Sequence, residues 1–216
     1  MSIKIPNQRY EEIKRIVVRM FVKYGVSCVP INGFEIAHKM GIKVIPYSAI
    51  AASKRWLLLK KSEDGFSVEK TNGQWYIFYN DEKDYRRVNH TIMHEIGHIV
   101  LGHDIEHITE YRKKNDSRFK ELYGQSEIEA NYFAACLLMP EAIINRLKSF
   151  GCCITKEFLQ TSFGVSESAS EIRIKTLRRN SQRYVSYWTR DKSLDNAVLL
   201  KFADFIKKIS PRRKSY

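Results

Sequence analysis

Cysteine is scarce in this chain and never falls in a C-x-x-C spacing. The four are Cys28, Cys136, Cys152 and Cys153. A cysteine-rich zinc ribbon is therefore excluded, and reduced, structural thiols are expected. Long hydrophobic runs are absent as well. No apolar stretch approaches the ~18–20 residues that a membrane-spanning helix needs. The opening, MSIKIPNQRYEEIKR, has no apolar segment behind its charges, so no secretory signal is read there. A cytoplasmic protein with no membrane partner is the expectation. Internal repeats and low-complexity segments are missing too. Acid is in deficit: 24 Asp and Glu stand against 37 Lys and Arg, for a net charge of +13. The excess is uneven, because residues 172–216 hold 13 Lys and Arg against 3 Asp. A basic end of this kind suits nucleic acid, an acidic partner or plain solvation.

What is present is enough for a core without staples: 216 residues, 44% of them hydrophobic. YEEIKRIVVRMFVKYG (10–25) carries apolar residues at helical spacing. PINGFEIAHKMG (30–41) reads as a second helix, with Asn32 as its cap and Gly41 as its stop. IKVIPYS (42–48), KRWLLLKK (54–61), GFSVEK (65–70) and QWYIFYN (74–80) are strand-like. The turn signals SEDG and TNG separate the later ones. A small, mostly antiparallel sheet is expected over 42–80. Helical periodicity returns at Val88, Ile92, Ile96, Ile99 and Val100. Residues 104–125 read as a loop with a partial helix. A strong helix follows over 126–140, with Ser126 as its cap and Pro140 past its end. PEAIINRLKSFG is a short helix, and residues 155–179 read helix, turn, helix. The fold class is α+β. Residues 1–150 are expected to form the principal domain, and 151–216 a helical segment with a basic tail.

The stretch TIMHEIGHIVLGHD (91–104) is rich in metal ligands. His94 and His98 are four apart, so both imidazoles leave one face of a helix, one turn apart. That spacing lets two nitrogens reach one zinc ion at ~2.0–2.1 Å. Glu95 lies beside them, where it can take a proton from an activated water. A catalytic zinc site also needs a third protein ligand and an open fourth position. His103 is five residues past His98 and leaves the 94/98 face by about 140° on a helical wheel. It reads as a bystander, exposed or supporting, as does His107. The helix from Ser126 offers Glu127 and Glu129 instead. They stand about 200° apart, so only one can face the site. Glu127 shares its face with Asn131, Ala134, Ala135 and Leu138, small residues that permit close approach. It is favoured over Glu129, and Asn131 could steady a ligand histidine.

HEIGHIVLGH followed by EIEANYFAACLLMP resembles the ImmA/IrrE family of bacterial and phage zinc metallopeptidases. The likeness runs over roughly residues 8–180, and its two-part motif is far more specific than HExxH alone. The resemblance implies a zincin-like fold of the gluzincin type. It implies Zn2+ held by His94, His98 and Glu127, with Glu95 as the general base. It further implies cleavage of a helix-turn-helix (XRE-type) repressor, which frees a prophage, mobile element or stress response from repression. The chain looks like the shorter, mobile-element type.

On this reading the substrate strand adds to an edge of the small sheet. Glu95 then hands its proton to the leaving amine. An oxyanion stabiliser is needed as well, and His90, Tyr76, Tyr79, Tyr123 and Tyr132 are candidates among which spacing does not choose. Residues 155–179 admit two readings. They are a helix pair packed into the core, or a DNA-contacting unit that exposes Ser166, Ser168 and Arg173 and works weakly with the basic tail. The alternative function is a zinc-containing DNA-binding or repressor-binding protein without proteolysis.

Overall fold

The computed structural model describes residues 5–103, 117–182 and 192–210. His107, residues 104–116 of the expected loop, and residues 183–191 and 211–216 of the basic end lie outside these. The described residues form a mixed α+β fold, mostly helical, with one three-stranded sheet. The helices are α1 (Asn7–Lys23), α2 (Gly33–Lys39), α3 (Ala52–Lys61), α4 (Tyr85–Leu101), α5 (Ser117–Leu138) and α6 (Glu141–Ser149), then α7 (Lys156–Phe163), α8 (Glu167–Gln182), α9 (Lys192–Lys201) and α10 (Ala203–Ile209). The strands are β1 (Lys43–Pro46), β2 (Gly65–Glu69) and β3 (Trp75–Tyr79). Among the described residues no helix is long and apolar enough to cross a membrane. All four cysteines are free thiols.

The sheet differs from the sequence expectation in two respects. Residues 54–61, expected as a strand, lie in α3. Apart from Ser53 and Trp56, the segment ASKRWLLLKK is made of Ala, Lys, Arg and Leu, strong helix formers, and it contains no β-branched residue. The apolar run resembles a buried strand only if that composition is ignored. Its helical form then changes the topology. β1 is carried across by α3 and lies parallel to β3, with Val44 opposite Ile77. β2 and β3 form the expected antiparallel hairpin, closed by Gly73 at φ +75°. The order is β1-β3-β2, so the sheet is mixed and β2 is an edge strand.

The chain divides into two compact units. The first comprises Met1–Lys14 and Asn32–Ala134; the second comprises Arg15–Ile31 and Ala135–Tyr216. In the first unit the sheet lies on α4. A Cβ at Gly65 would come within 2.7 Å of both Thr91 Cγ2 and the Phe78 carbonyl, so only glycine lets strand and helix approach so closely. Ile77, Ile92, Met93 and Ile96 are fully buried. Asn32 caps α2 through the Phe34 amide, as expected. The Gly33 amide in turn donates to Asn89 of α4 at 2.7 Å. Asp84 caps the start of α4, and Gly102, at φ +70°, ends it.

α5 starts well before Ser126. Ser126 sits inside the helix and its hydroxyl donates to the Leu122 carbonyl at 3.0 Å. A mid-helix serine commonly bonds back one turn in this way, which masks the difference between a cap and an interior position in sequence.

The second unit is helical. Phe21 meets Phe202 edge-on at 5.2 Å, and Phe163 meets Phe205 at 5.5 Å. The helix-turn-helix expected at 155–179 is α7 and α8. Thr155 caps α7, and Gly164, at φ +66°, makes the turn. Arg173 of α8 is fully buried and donates twice to the Met139 carbonyl, at 2.7 and 3.1 Å. That carbonyl closes the C-terminal end of α5, where cations are favoured.

Candidate metal centre

α4 and α5 bring the chemistry together. Gly97 lies inside α4, where glycine costs about 1 kcal/mol relative to alanine. A Cβ there would stand 3.0 Å from Phe133 Cδ1 and 3.3 Å from Ala130 Cα. The missing side chain therefore lets the two helices touch. One residue after Gly97 comes His98; three residues before Ala130 comes Glu127. Sequence reasoning expected the close approach at Ala134 and Ala135; the contact falls instead on Ala130 and Phe133, and Gly97 was not singled out. Its signal was a glycine in an otherwise unbroken helical pattern.

His94, His98 and Glu127 offer one ligand atom each, all within 4.8 Å of one another. The two histidine Nε2 atoms are 2.9 Å apart. Glu127 straddles them, 3.4 Å from His94 Nε2 through one oxygen and 3.4 Å from His98 Nε2 through the other. A tetrahedral ion with bonds of ~2.0–2.1 Å spaces its ligands about 3.3 Å apart. The donor set and its spacing therefore fit a small divalent ion. Burial grades across the cluster. The His98 side chain is 3% exposed, that of His94 14% and that of Glu127 32%, so access is from the Glu127 side. Burial alone would raise the Glu127 pKa. Its contacts with His94 and His98 outweigh that and hold the carboxylate well below its ordinary range. Burial would lower the pKa of His94, and Glu127 reverses the direction.

Glu95 is buried and accepts a hydrogen bond from the Ser67 hydroxyl at 2.8 Å. Ser67 belongs to the edge strand β2, so the strand and the acid are directly tied. Ser67 had not been singled out in the sequence, where one serine in a strand carries no signal. Asn131 donates to the Glu127 carbonyl at 2.8 Å and also supports His94.

Of the two readings of His103, exposed or supporting, the exposed one fails, because its side chain is only 8% exposed. The α4 helical wheel does not extend past Leu101, because Gly102 ends the helix in a left-handed turn. The reversal returns His103 to His98, with the two Nδ1 atoms 2.9 Å apart. His103 Nε2 lies 3.0 Å from Glu129 Oε2. Glu129 does not face the ligand cluster; it also accepts from Arg9 Nη2 at 2.7 Å and Nε at 3.0 Å.

Of the oxyanion candidates, His90 stacks beside His94, with ring centroids 6.5 Å apart. Burial, aided by the neighbouring His94, pushes its pKa down to about 4, so it is neutral at pH 7. Tyr132 packs edge-on against Tyr10, Tyr79 against Phe34, and Tyr76 stacks with Phe78. Tyr123 lies on α5, one turn before Glu127.

An α+β protein with two imidazoles and a carboxylate converging from two helices, and a buried acid next to them, has the parts of a metal-dependent hydrolase. Comparison with known proteins agrees. Residues 37–175 match Peptidase_M78, the IrrE N-terminal-like domain, and the chain belongs to this family of metallopeptidases. It is also similar to the uncharacterized immunity region protein 2 of Bacillus phage phi105. The two are 29% identical over 140 residues, 65% of this chain and 76% of the phage protein.

Proposed function

We propose that the protein is a zinc-dependent endopeptidase of the HExxH...E type that cleaves a helix-turn-helix (XRE-type) repressor and so relieves repression of a prophage or mobile element. The observation that carries the reading is the convergence of His94, His98 and Glu127 beside the buried Glu95. The immunity-region name of the phage relative supports a repressor as the substrate.

His94, His98 and Glu127 would hold the ion. Bound zinc supplies Lewis acidity and brings the pKa of water to about 7. Glu95 takes the proton of the attacking water and delivers it to the amide nitrogen that leaves. Ser67 Oγ holds the Glu95 carboxylate in place from β2. As an edge strand, β2 can pair with an extended substrate backbone. Held neutral, His90 is suited to donate a hydrogen bond to the oxygen that gains charge. The chain's residues thus cover ion binding, proton transfer and substrate alignment.

A DNA-contacting role for α7 and α8 would need Ser166, Ser168 and Arg173 at the surface. Arg173 is buried and spent on Met139, so this reading loses its one charged contact among the three.

The test is co-expression with helix-turn-helix repressors of the same genome, wild type against Glu95→Gln. The wild type should cut one of them. Glu95→Gln should retain its zinc and cut at least ~10³-fold more slowly, within the range for loss of a general acid–base. Equal cutting by both would sink the mechanism.

A further inference from the structure

His98 is the most buried of the three candidate ligands, and both of its ring nitrogens face other groups. Nε2 looks at His94 Nε2, 2.9 Å away, and at Glu127, 3.4 Å away. Nδ1 looks at His103 Nδ1, 2.9 Å away. A neutral imidazole has one N–H and one lone pair, so the proton on His98 must choose a side.

The choice is made at the far end of the chain of contacts. Arg9 can only donate, and it donates twice to Glu129 Oε2. Glu129 therefore accepts throughout, and His103 Nε2, 3.0 Å from the same oxygen, carries the proton of that contact. Arg9 also reaches Glu12 Oε2 at 3.3 Å, so it is shared between two carboxylates; a His103 protonated on Nε2 alone is the state in which His98 Nδ1 can donate to it. Its Nδ1 is then bare and accepts. His98 Nδ1 must donate to it, which leaves His98 Nε2 with its lone pair directed at His94 and Glu127. An ion-binding imidazole needs this tautomer.

We propose that His103 is a positioning residue for His98, backed by Glu129 and Arg9. The chain of hydrogen bonds fixes the His98 ring and its tautomer so that Nε2 is presented bare to a divalent metal ion. This rests on the reading of His94, His98 and Glu127 as ligands. His103 makes no contact with the ion or substrate; it acts through His98.

The test has two arms on the full-length protein. In the first, long-range 1H–15N NMR of the metal-free wild type at pH 7.5 reads which His98 nitrogen is protonated. The expected result is protonated Nδ1 and bare Nε2; protonated Nε2 overturns the proposal. In the second, zinc affinity is measured by competition with a chromophoric chelator for wild type, His103→Asn and His103→Leu. Asparagine keeps an acceptor for His98, whereas leucine fills space without one. His103→Leu should bind zinc ~10- to 100-fold more weakly. His103→Asn should recover most of that loss, which a purely packing role would not allow. Equal affinity in wild type and His103→Leu overturns the proposal. If the wild type itself binds no zinc, the ligand assignment under the proposed function fails, a result distinct from the others. The NMR arm stands even if His103→Leu does not fold.

Discussion

In the unit built from Met1–Lys14 and Asn32–Ala134, the buried polar side chains among the described residues are Ser67, Asn80, Asn89, Thr91, Glu95 and His98. The other unit buries Ser170 and Arg173. Those two are answered by nearby backbone. Ser170 donates to the Glu167 carbonyl at 2.7 Å, and Arg173 to the Met139 carbonyl. Each donor has its acceptor, as buried polar groups require. In the first unit the balance is different. Around His98 Nε2 stand a second imidazole nitrogen and a carboxylate, three donor atoms placed where one cation could bridge them. Buried polarity that closes on itself is structural, whereas buried polarity left short of a positive charge marks chemistry.

The contrast can be broken most forcefully at Arg173. Arg173→Met keeps the bulk but leaves the Met139 carbonyl without its donor. We expect a stability loss of about 3 kcal/mol, as for a buried hydrogen bond to a charged group. Urea denaturation of the variant would show it. A loss below about 0.5 kcal/mol would mean that the buried arginine contributes nothing net.

Gly97→Val tests whether helix approach sets the ligand spacing. Its side chain would meet Phe133 and Ala130, at an overpacking cost of about 1–3 kcal/mol. Zinc affinity should fall at least ~10-fold. Affinity unchanged in a destabilised protein would separate helix spacing from ion binding.

A smaller effect is expected with pH. His90 has a folded-state pKa of about 4, below its ordinary 6.5, mainly through burial. Between these values the unfolded chain binds the proton and the folded chain does not. Its contribution is therefore complete above pH 6.5 and is lost as pH falls toward 4. The metal-free wild type should lose about 2 kcal/mol more than His90→Phe between pH 7 and pH 4.5. Parallel pH profiles for the two proteins would remove His90 from the account.

The mildest expected change is at Ser67→Ala. Glu95 keeps its place but loses its hydroxyl donor, worth about 1 kcal/mol. We expect kcat to fall roughly fivefold, with zinc affinity unaltered. A parallel loss of zinc would show that Ser67 supports the ligands and not the acid.

Much of this was legible in the residues. His94, Glu95 and His98 follow from helical periodicity, because i and i+4 share a face whatever surrounds them. The choice of Glu127 over Glu129 also follows from a wheel, and Glu127 is the carboxylate that stands 3.4 Å from both imidazoles. The α2 cap, the β2–β3 hairpin and the α7–α8 turn were equally readable, since each depends on a few neighbouring residues. The failures share a different character. Residues 54–61 were misread because apolar content was weighed above the helix propensity of Leu, Lys and Arg. The sheet was expected to be mostly antiparallel, whereas β1 lies parallel to β3, since parallel pairing depends on what crosses between the strands. The supporting place of His103 was left undecided against an exposed one because its wheel was continued through a helix that Gly102 ends.

By itself, then, the amino-acid sequence determined the spacing of the HExxH residues, the face of Glu127 as the third candidate ligand and the basic bias of the last fifth of the chain. These are local properties, set by 3.6 residues per turn and by the side chains present. Only the tertiary structure decided what stands behind the candidate ligands and Glu95: Arg9 on Glu129, Glu129 on His103, His103 on His98, and Ser67 on Glu95. Those partners come from four elements and a turn that are far apart in the chain. No periodicity relates them, and only the packing of α1, β2, α4 and α5 in one unit brings them within hydrogen-bonding distance.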